Sequence, residues 1–255
     1  MSFWFSEEQQ KSGDISVLTK LANAHECLVC PLAKIEQVNP NILPSGSDKP
    51  LIYIIGEAPG FEEDQQGKQF VGKSGVILRN ELKNIFGRQY EEIVRFSNTI
   101  RCWPGKGNPT PNDLELACCK NNLLTDIEKT KPKLVIGTGN IPLKQLLGIT
   151  GITLNRGRKF PIKIGNYVCW YFPILHPSYI LRKKSKYGEN EYDKVFRQDI
   201  QSAKNFLDDK NYYDPIYIEK GHEDSIFTRT FTEIDIYIET LKSILLDFSK
   251  LPLIA

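Results

Sequence analysis

The sequence predicts an α/β protein with three αβα layers around a central, four-stranded, mostly parallel sheet. Short apolar runs alternate along the chain with segments of helical spacing, which is typical of a parallel sheet covered by helices on both faces. At 255 residues, 40% of them apolar, the chain has room for one large domain, or one domain and part of another. The predicted strands are residues 51–55, 93–98, 133–137 and 167–175.

Segments of helical spacing lie around these predicted strands. We expect Ser74 to cap a helix that runs to Phe86. A proline followed by acidic residues predicts that the next helix begins near residue 111 and ends near residue 129. Further helices are predicted at residues 14–24, 140–148 and 192–207.

A domain boundary is predicted towards the end of the chain. Residues 208–223 have neither a helical nor a strand period, and a predicted strand at 226–230 and helix at 233–248 follow. We therefore expect residues 1–207 to form one domain, and residues 208–255 to form a linker and the start of a further α/β region. Because the chain ends on an apolar stretch, whereas natural termini are usually polar, we expect it to be the N-terminal part of a longer protein.

Composition and charge argue against a membrane-spanning or secreted protein. The longest apolar run, around residues 167–175, is too short to cross a bilayer. The first ten residues carry acids where a secretory signal carries positive charge. We expect a cytoplasmic monomer, whose six cysteines are reduced thiols or ligands of a metal or cluster. The net charge of +2 predicts no overall attraction to nucleic acid, so local basic clusters matter more.

Residues 67–74, GKQFVGKS, fit the pattern of a phosphate-binding loop. Such a loop follows its strand directly, but residues 56–66 separate this motif from the preceding predicted strand. Phe70 and Val71 are bulky for a tight ring of amides around a phosphate, and no later predicted strand ends in an aspartate that would help hold magnesium. We interpret the match as chance. A nucleotide-binding enzyme that depends on Lys73 is kept as a third hypothesis.

Polar side chains follow three of the predicted strands. Glu57 comes directly after the first strand, Asn98 ends the second, and His176 follows the last. Open α/β sheets bind ligands beyond the carboxyl ends of their strands. Each residue alone fits an ordinary role, as a solvated acid, a turn former or a core histidine. All three at strand ends predict a functional site.

Motifs around these strand ends occur in the order GEAPG (56–60), EEDQQGKQFVGKSG (62–75), SNTIRCWP with NPTP (97–111), RGRKF (156–160) and HPSYILR (176–182). They resemble those of the family 4 uracil-DNA glycosylases, the iron–sulfur type. The resemblance runs from about residue 27 to residue 207. It implies a four-stranded parallel sheet flanked by helices, hydrolysis of the N-glycosidic bond of uracil in DNA to leave an abasic site, and a [4Fe–4S] cluster.

The resemblance assigns a role to each residue near the strand ends. Phe70 matches the aromatic residue that stacks on the base, and the amide of Asn98 is expected to pair with uracil N3–H and O4. His176 is expected to donate a hydrogen bond to uracil O2. Glu57 is expected to stabilise the positively charged sugar and to orient the attacking water. Further substrate contacts are expected from Gly56, Ala58 and Ser178.

Several cysteines have a spacing that fits a metal or cluster site. Cys27 and Cys30 form a CxxC pair, Cys102 follows much later, and Cys118 and Cys119 are adjacent. In the family, two cysteines of an N-terminal segment and two that flank a loop hold the cluster, in line with thiolate ligation in general. We favour Cys119 over Cys118 as the fourth ligand, because it lies where the family's cysteine lies relative to the segment that follows.

Two alternative roles for the cysteines stay open. A zinc site is the main alternative, although such sites more often contain two CxxC pairs. A thioredoxin-like redox motif is less favoured, since no predicted strand precedes Cys27 and two further cysteines lack partners. Cys169 lies within a predicted strand and is expected to be a core residue.

Two basic segments flank the predicted base pocket. Such runs are often only solvated surface, but beside a base pocket they are expected to bind phosphates, with an affinity that falls as salt rises. The family also fills the gap left by a flipped base with an apolar side chain after the His-Pro-Ser motif, for which Tyr179, Ile180 and Leu181 are equal candidates. The basic residues are Arg156, Arg158, Lys159, Arg182, Lys183, Lys184 and Lys186.

Under a second hypothesis, the chain has the glycosylase fold but needs no catalytic activity. Residues 208–255 are similar to the region that leads into the proofreading exonuclease of some phage DNA polymerases, which carry a glycosylase-like domain at their N-terminus. The chain would then be a DNA-binding or processivity module with little or no catalysis, and a continuous or associated DNA polymerase would be its partner. Under the first hypothesis, the partner is uracil-containing DNA, single- or double-stranded.

Overall fold

The computed structural model describes residues 27–187, 191–210 and 212–215. The predicted helix at residues 14–24 lies outside the described residues, as do the predicted strand and helix beyond residue 223. The domain boundary predicted after residue 207 stays a prediction. Within the described part of the chain, no helix combines the length and the apolar character needed to cross a membrane.

A mixed sheet forms the centre of the fold, and its strands are β1 (Ser45–Gly46), β2 (Ile52–Gly56), β3 (Val94–Asn98), β4 (Leu134–Thr138), β5 (Phe160–Ile164) and β6 (Tyr167–Ile174). They lie in the order β1-β3-β2-β4-β6-β5. The four inner strands are parallel and match the four predicted strands, so the predicted parallel sheet is confirmed. The outer strands β1 and β5 pair antiparallel with their neighbours and are absent from the prediction.

The outer strands are hard to predict from apolar runs because one is very short and the other only half-buried. β1 has two residues. In β5, Ile162 and Ile164 are buried while Lys163 between them is exposed. A turn at Gly165, with a φ of +57°, returns the chain antiparallel into β6. Neither strand is identified by its own sequence pattern, and each is recognised only by its pairing with a neighbouring strand.

The residues of β2 show why helices cover both faces of the sheet. All five residues of this strand are buried. Ile52 and Ile54 belong to one hydrophobic cluster, and Tyr53 and Ile55 belong to a second, because successive side chains of a strand point to opposite faces. The predicted three-layer αβα arrangement is confirmed.

Helices form the two outer layers: α1 (Phe61–Gln66), α2 (Lys73–Phe86), α3 (Tyr90–Ile93), α4 (Asp113–Thr130), α5 (Asn140–Leu147), α6 (Ile152–Asn155), α7 (Pro177–Tyr187) and α8 (Glu191–Asp208), with a 3-10 helix at Pro31–Lys34. Helices α2, α7 and α8 contribute side chains to the cluster that contains Ile52, and α4 and α5 contribute to the cluster that contains Tyr53. Each layer thus buries one face of the sheet.

Two helices begin two residues from their predicted starts. Gly72, not Ser74, is the N-cap of α2. Helix α4 begins at Asp113, since the side chain of Asn112 accepts a hydrogen bond from Glu115 N at 3.0 Å and so caps it. The start of α2 lies directly after Phe70 and therefore bears on the candidate site.

Candidate active site

The floor of the candidate active site lies where β2 and β3 end side by side. Gly56 and Asn98 are register partners of these two parallel strands. A Cβ atom at Gly56 would lie 2.1 Å from Asn98 Oδ1 and 2.9 Å from Phe70 Cζ, so only glycine leaves room for both side chains. The structure thus brings together three residues that the sequence predicts to line the pocket.

Asn98 and Phe70 are both buried at this floor. Within the described residues, the side-chain amide of Asn98 has no hydrogen-bond partner, so its carbonyl and NH2 groups are available to a ligand. Phe70 has a φ of +54°, a left-handed conformation that residues other than glycine rarely adopt. Its ring centroid lies 5.6 Å from that of Phe96 in β3. One aromatic ring and one amide therefore meet in a single buried place.

The segment that resembles a phosphate-binding loop already binds a carboxylate of its own chain. Val71 N and Gly72 N donate hydrogen bonds to Glu63 Oε1 at 3.0 and 2.8 Å. A phosphate would need these backbone amides at the start of α2 as its own donors. The contacts of Glu63 therefore argue against the nucleotide-binding hypothesis.

Glu57 follows β2 directly, and the chain beyond β3 holds its backbone. Its carbonyl oxygen accepts hydrogen bonds from Thr99 Oγ1 and from Ile100 N, the latter at 3.4 Å. Burial raises the pKa of the Glu57 carboxyl group, while a hydrogen bond from Thr110 and the positive charge of Arg182 act in the opposite direction. Sequence reasoning did not identify Thr110, although it lies within the NPTP motif.

His176 follows β6 and is held by the residue two positions further along the chain. Its Nδ1 accepts a hydrogen bond from Ser178 N at 3.1 Å and lies 2.7 Å from Ser178 Oγ. Burial lowers the pKa of His176 to about 4, and the charge of Arg182 acts in the same direction. The imidazole is therefore neutral at pH 7, with its proton on Nε2.

Arg182 acts electrostatically on both candidate catalytic groups, Glu57 and His176. Its Nη1 donates a hydrogen bond to Ser178 Oγ at 3.1 Å, and its charge acts on both Glu57 and His176. It is the fourth residue beyond Ser178 and thus lies on the same face of α7. A carboxyl group and a neutral imidazole from the ends of β2 and β6 consequently share one electrostatic environment.

Comparison with known proteins identifies the family of the chain. The model of the uracil DNA glycosylase superfamily matches residues 43–201. The chain belongs to this superfamily. It is similar to the type-4 uracil-DNA glycosylase of Thermotoga maritima, with 32% identity over 187 residues that cover 71% of this chain and 90% of that protein. The corresponding protein of Saccharolobus solfataricus is 30% identical over 210 residues, which cover 79% of this chain and 96% of that protein.

A relative of another kind is the DNA polymerase of Bacillus phage SP01. It is 28% identical over 180 residues, which cover 70% of this chain but only 18% of the polymerase. A segment of that polymerase is therefore similar to this member of the uracil DNA glycosylase superfamily.

Two of the predicted DNA contacts in this superfamily member also have contacts within the fold. Arg156 donates to the buried Asp199 from Nε at 2.8 Å and from Nη2 at 2.5 Å, and to Val195 O at 3.3 Å, so it ties the chain before β5 to α8. Ile180 is fully buried in the cluster that contains Ile52 and has no surface to present to DNA. The burial of Ile180 argues against its insertion into DNA, while the predicted DNA contact of Arg156 stays a prediction. Arg158 is exposed, and its predicted contact stays a prediction.

An aromatic and basic patch lies on the surface beside Ser178. The rings of Tyr179 and Tyr192 meet edge to face with centroids 5.1 Å apart. Lys183 Nζ lies 5.3 Å from the centroid of each ring. Because Ile180 is buried, Tyr179 and Leu181, which are both half-buried, are the remaining candidates for insertion into DNA.

The predicted cluster ligands of this superfamily member lie in one neighbourhood. Burial raises the pKa of Cys119 to about 12, and Cys102, Cys30 and Cys27 act in the same direction. Asn41 N donates a hydrogen bond to Cys102 Sγ at 3.3 Å. Among the residues that the structure describes, no group of three or more His, Cys, Asp or Glu side chains is arranged to hold a metal ion.

Two further cysteine predictions concern Cys169 and the choice between Cys118 and Cys119. Cys169 is buried in the cluster that contains Tyr53, so its prediction as a core residue is confirmed. Cys118 is buried next to Cys119, and burial alone does not distinguish the two. Ala58 packs against the hydrophobic cluster that contains Cys118 and Cys119. The loop that carries Glu57 therefore also contacts the cysteine region.

Proposed function

We propose that the chain is a uracil-DNA glycosylase, which hydrolyses the N-glycosidic bond between uracil and deoxyribose in DNA and leaves an abasic site. The observation that carries this proposal is the placement of Glu57, Asn98 and His176 at the carboxyl ends of parallel strands of one sheet. Membership of the superfamily, and 27–32% identity to proteins named type-4 uracil-DNA glycosylases, support it.

Recognition of the base rests on Phe70 and Asn98. Uracil in a duplex must first be flipped out of the stack, which costs roughly a few kcal/mol, and stacking on Phe70 would return about 1–3 kcal/mol. The Asn98 carbonyl accepts from uracil N3–H while its NH2 donates to uracil O4. With the amide in this orientation, cytosine presents the reversed donor and acceptor pattern and would leave both groups unpaired in a buried place, which selects against it.

Cleavage of the glycosidic bond places negative charge on the leaving base, and His176 is the proposed hydrogen-bond donor to it. Because Nδ1 accepts from Ser178 N, the neutral ring has its proton on Nε2. This N–H would donate to uracil O2 as the bonding electron pair moves from C1′–N1 onto the base. With a pKa of about 4, His176 acts as a donor of a hydrogen bond and does not transfer its proton.

Glu57 is the proposed partner of the positive sugar and of the attacking water. Its carboxylate would stabilise the oxocarbenium ion and orient a water molecule toward C1′. The water oxygen forms the new bond to C1′, and Glu57 accepts one water proton and later releases it to solvent. Ordinary glycosidases use a second carboxyl group to protonate the leaving oxygen. Uracil leaves as a stabilised anion, so one carboxylate and one hydrogen-bond donor suffice.

We also propose that Cys27, Cys30, Cys102 and Cys119 hold a [4Fe–4S] cluster. Cys30, Cys102 and Cys119 belong to or pack against one hydrophobic cluster, and the charge of Cys27 acts on Cys119, which is compatible with thiolate ligation. The hydrogen bonds from Asn41 N to Cys102 and from the Arg101 backbone to Cys119 favour thiolates over thiols. When bound, the cluster would tie the N-terminal segment to α4 and to the chain after β3. A preparation with iron and acid-labile sulfide, rather than zinc, would support this assignment.

DNA would be held at the surface around His176. Arg158, Arg182 and Lys183 are the proposed phosphate contacts, and the patch of Tyr179, Tyr192 and Lys183 offers ring faces and positive charge together. Proteins that bind single strands combine these two features.

The test of the proposed function is uracil release from single- and double-stranded oligonucleotides, read as alkali-labile strand breaks. We expect cleavage at uracil and not at thymine, with kcat lower by about 100-fold or more in Glu57→Gln and in His176→Asn. Glu92→Gln, which changes an exposed acid of α3, serves as the matched control and should retain full activity. Folded wild-type protein that binds DNA and releases no uracil would refute the proposal.

The similarity to a phage DNA polymerase favours one second candidate, a DNA-binding module of a polymerase without catalysis. It predicts salt-dependent DNA binding that depends on Arg158 and Lys183 and is unchanged in Glu57→Gln. Uracil release by the wild-type protein would exclude this candidate.

A further inference from the structure

Glu63 joins the two loops that form the candidate pocket. Its Oε2 accepts a hydrogen bond from Gly60 N at 3.0 Å, in the loop that begins at Glu57. Its Oε1 accepts from Val71 N at 3.0 Å and from Gly72 N at 2.8 Å, directly after Phe70. The residue is only 8% exposed, so one buried carboxyl group uses both oxygens to hold both walls of the pocket.

Arg79 holds the same loop from the other side. Its Nε donates to Phe70 O and its Nη2 donates to Gln69 O, both at 2.9 Å. Its guanidinium carbon also lies 4.3 Å from the centroid of the Phe96 ring, against which Phe70 packs. Two carbonyl groups and one ring therefore fix the position of this side chain.

The conformation that these contacts hold is strained. Phe70 has a φ of +54°, which is unfavourable for a residue with a Cβ atom. The loop also lies so close to α2 that a Cβ atom at Gly75 would be 2.2 Å from Phe70 C. A strained backbone persists only where its surroundings determine it, and here the determining groups are Glu63, Arg79 and Gly75.

We propose that Glu63 and Arg79 are positioning residues that hold Phe70 at the floor of the pocket and so determine how well the pocket binds a flat pyrimidine base. This inference rests on the proposed function. Neither residue reaches the reacting atoms through the contacts described. Both act through the position of the Phe70 ring relative to Asn98.

The first experiment compares Glu63→Gln with Glu62→Gln, and Arg79→Gln with Arg88→Gln. Glu62 and Arg88 are exposed and, among the described residues, make none of the hydrogen bonds that hold the loop, so they are matched controls. We expect Glu63→Gln and Arg79→Gln to raise KM for uracil-containing single strands, and to weaken inhibition by free uracil, by about tenfold. The pH profile of kcat should be unchanged, since Glu57 and His176 are untouched.

A double-mutant cycle with Phe70→Ala separates positioning from general destabilisation. If Glu63 acts through Phe70, the change Glu63→Gln should alter KM by less than about twofold in the Phe70→Ala background. A full tenfold effect in that background would overturn the proposal. Arg79→Lys, which keeps the charge but loses the paired geometry, provides a milder variant if Arg79→Gln does not fold.

Amide hydrogen exchange provides a readout that does not require activity. In Glu63→Gln, exchange at Val71 and Gly72 should be faster than in the wild type, and in Glu62→Gln it should be unchanged. Unaltered exchange at these two amides would overturn the positioning role. Wild-type protein without uracil release would instead refute the proposed function, so the two failures are distinguishable.

Discussion

Ser178 N lies 3.1 Å from His176 Nδ1 and donates a hydrogen bond to it. A backbone N–H can only donate, so Nδ1 carries no proton and the neutral ring presents its Nε2–H outward. The Ser178 hydroxyl adds a second contact to Nδ1 at 2.7 Å, and Arg182 Nη1 donates to that hydroxyl at 3.1 Å. The first turn of α7, which follows β6, thus sets the tautomer of the proposed donor to the leaving base.

Replacement of Arg182 by glutamine should move the acidic limb of the pH–rate profile to higher pH. The charge of Arg182 lowers the pKa of Glu57 and of His176, so both pKa values rise when it is removed. Since Glu57 must be ionised to act, kcat will begin to fall at a higher pH than in the wild type. Arg158→Gln is the control, and an unmoved limb in Arg182→Gln would contradict the role of Arg182.

Glu57→Gln should be more stable than the wild type at pH 8 while it loses activity. Burial raises the pKa of Glu57 in the folded state above its ordinary value of 4.5, so the folded state holds this proton more tightly than the unfolded state. Ionisation at pH 8 therefore costs stability, and glutamine removes that cost. Thermal unfolding should show the gain at pH 8, and the gain should shrink as the pH falls through the raised pKa. A variant of equal or lower stability at pH 8 would refute this account.

Gly56→Ala should lower kcat/KM by about 100-fold or more while the protein stays folded. The new Cβ atom would lie 2.1 Å from Asn98 Oδ1 and 2.9 Å from Phe70 Cζ, so both base-binding side chains must move. Kinetics on single-stranded uracil DNA and far-UV circular dichroism give the two readouts. Gly87→Ala strains a backbone with a φ of +75° but meets no atom within 4 Å, so it controls for general destabilisation and should keep kcat/KM. Wild-type kinetics in Gly56→Ala would disprove the assigned pocket floor.

Cys119→Ser should lose the cluster, whereas Cys118→Ser should keep it. Cys102, Cys30 and Cys27 raise the pKa of Cys119, which supports the choice of its thiol as the fourth ligand. Iron and acid-labile sulfide per chain, with the visible absorbance of the protein, measure the outcome. Loss of both from Cys118→Ser alone would move the fourth ligand to Cys118.

Substitution of Arg156 should lower stability, whereas substitution of Arg158 should weaken DNA binding. Arg156→Ala leaves the buried Asp199 without its partner, at a cost of about 3 kcal/mol in the free energy of unfolding. Arg158→Ala should leave stability unchanged. It should reduce the slope of log affinity against log salt by about one, the change that corresponds to the loss of one phosphate contact. Urea unfolding and DNA titrations at several salt concentrations test both. A stable Arg156→Ala variant with weakened DNA binding would support the role predicted from sequence.

Much of the fold follows from local sequence patterns. The inner strands β2, β4 and β6 are largely apolar runs because both faces of a parallel sheet are buried, so residues such as Ile54 and Ile136 identify them without any knowledge of packing. The candidate catalytic groups follow too, since Glu57, Asn98 and His176 lie directly at strand ends, where open α/β sheets bind ligands. These features depend only on residues that lie close together in the sequence.

The remaining features depend on contacts between residues far apart in sequence, and only the tertiary structure decided them. The edge strand β5 is stabilised by pairing with β6, and its alternating burial gives no strong apolar run. The ion pair between Arg156 and Asp199, which is distant in sequence, is seen only in the tertiary structure. The support of Phe70 by Arg79, and the choice of Tyr179 and Leu181 over Ile180 as surface residues, likewise depend on how α2 and α7 pack on the sheet. Local spacing specifies which elements form and where each one ends. The partners of a charged or apolar side chain are specified only when those elements are packed together.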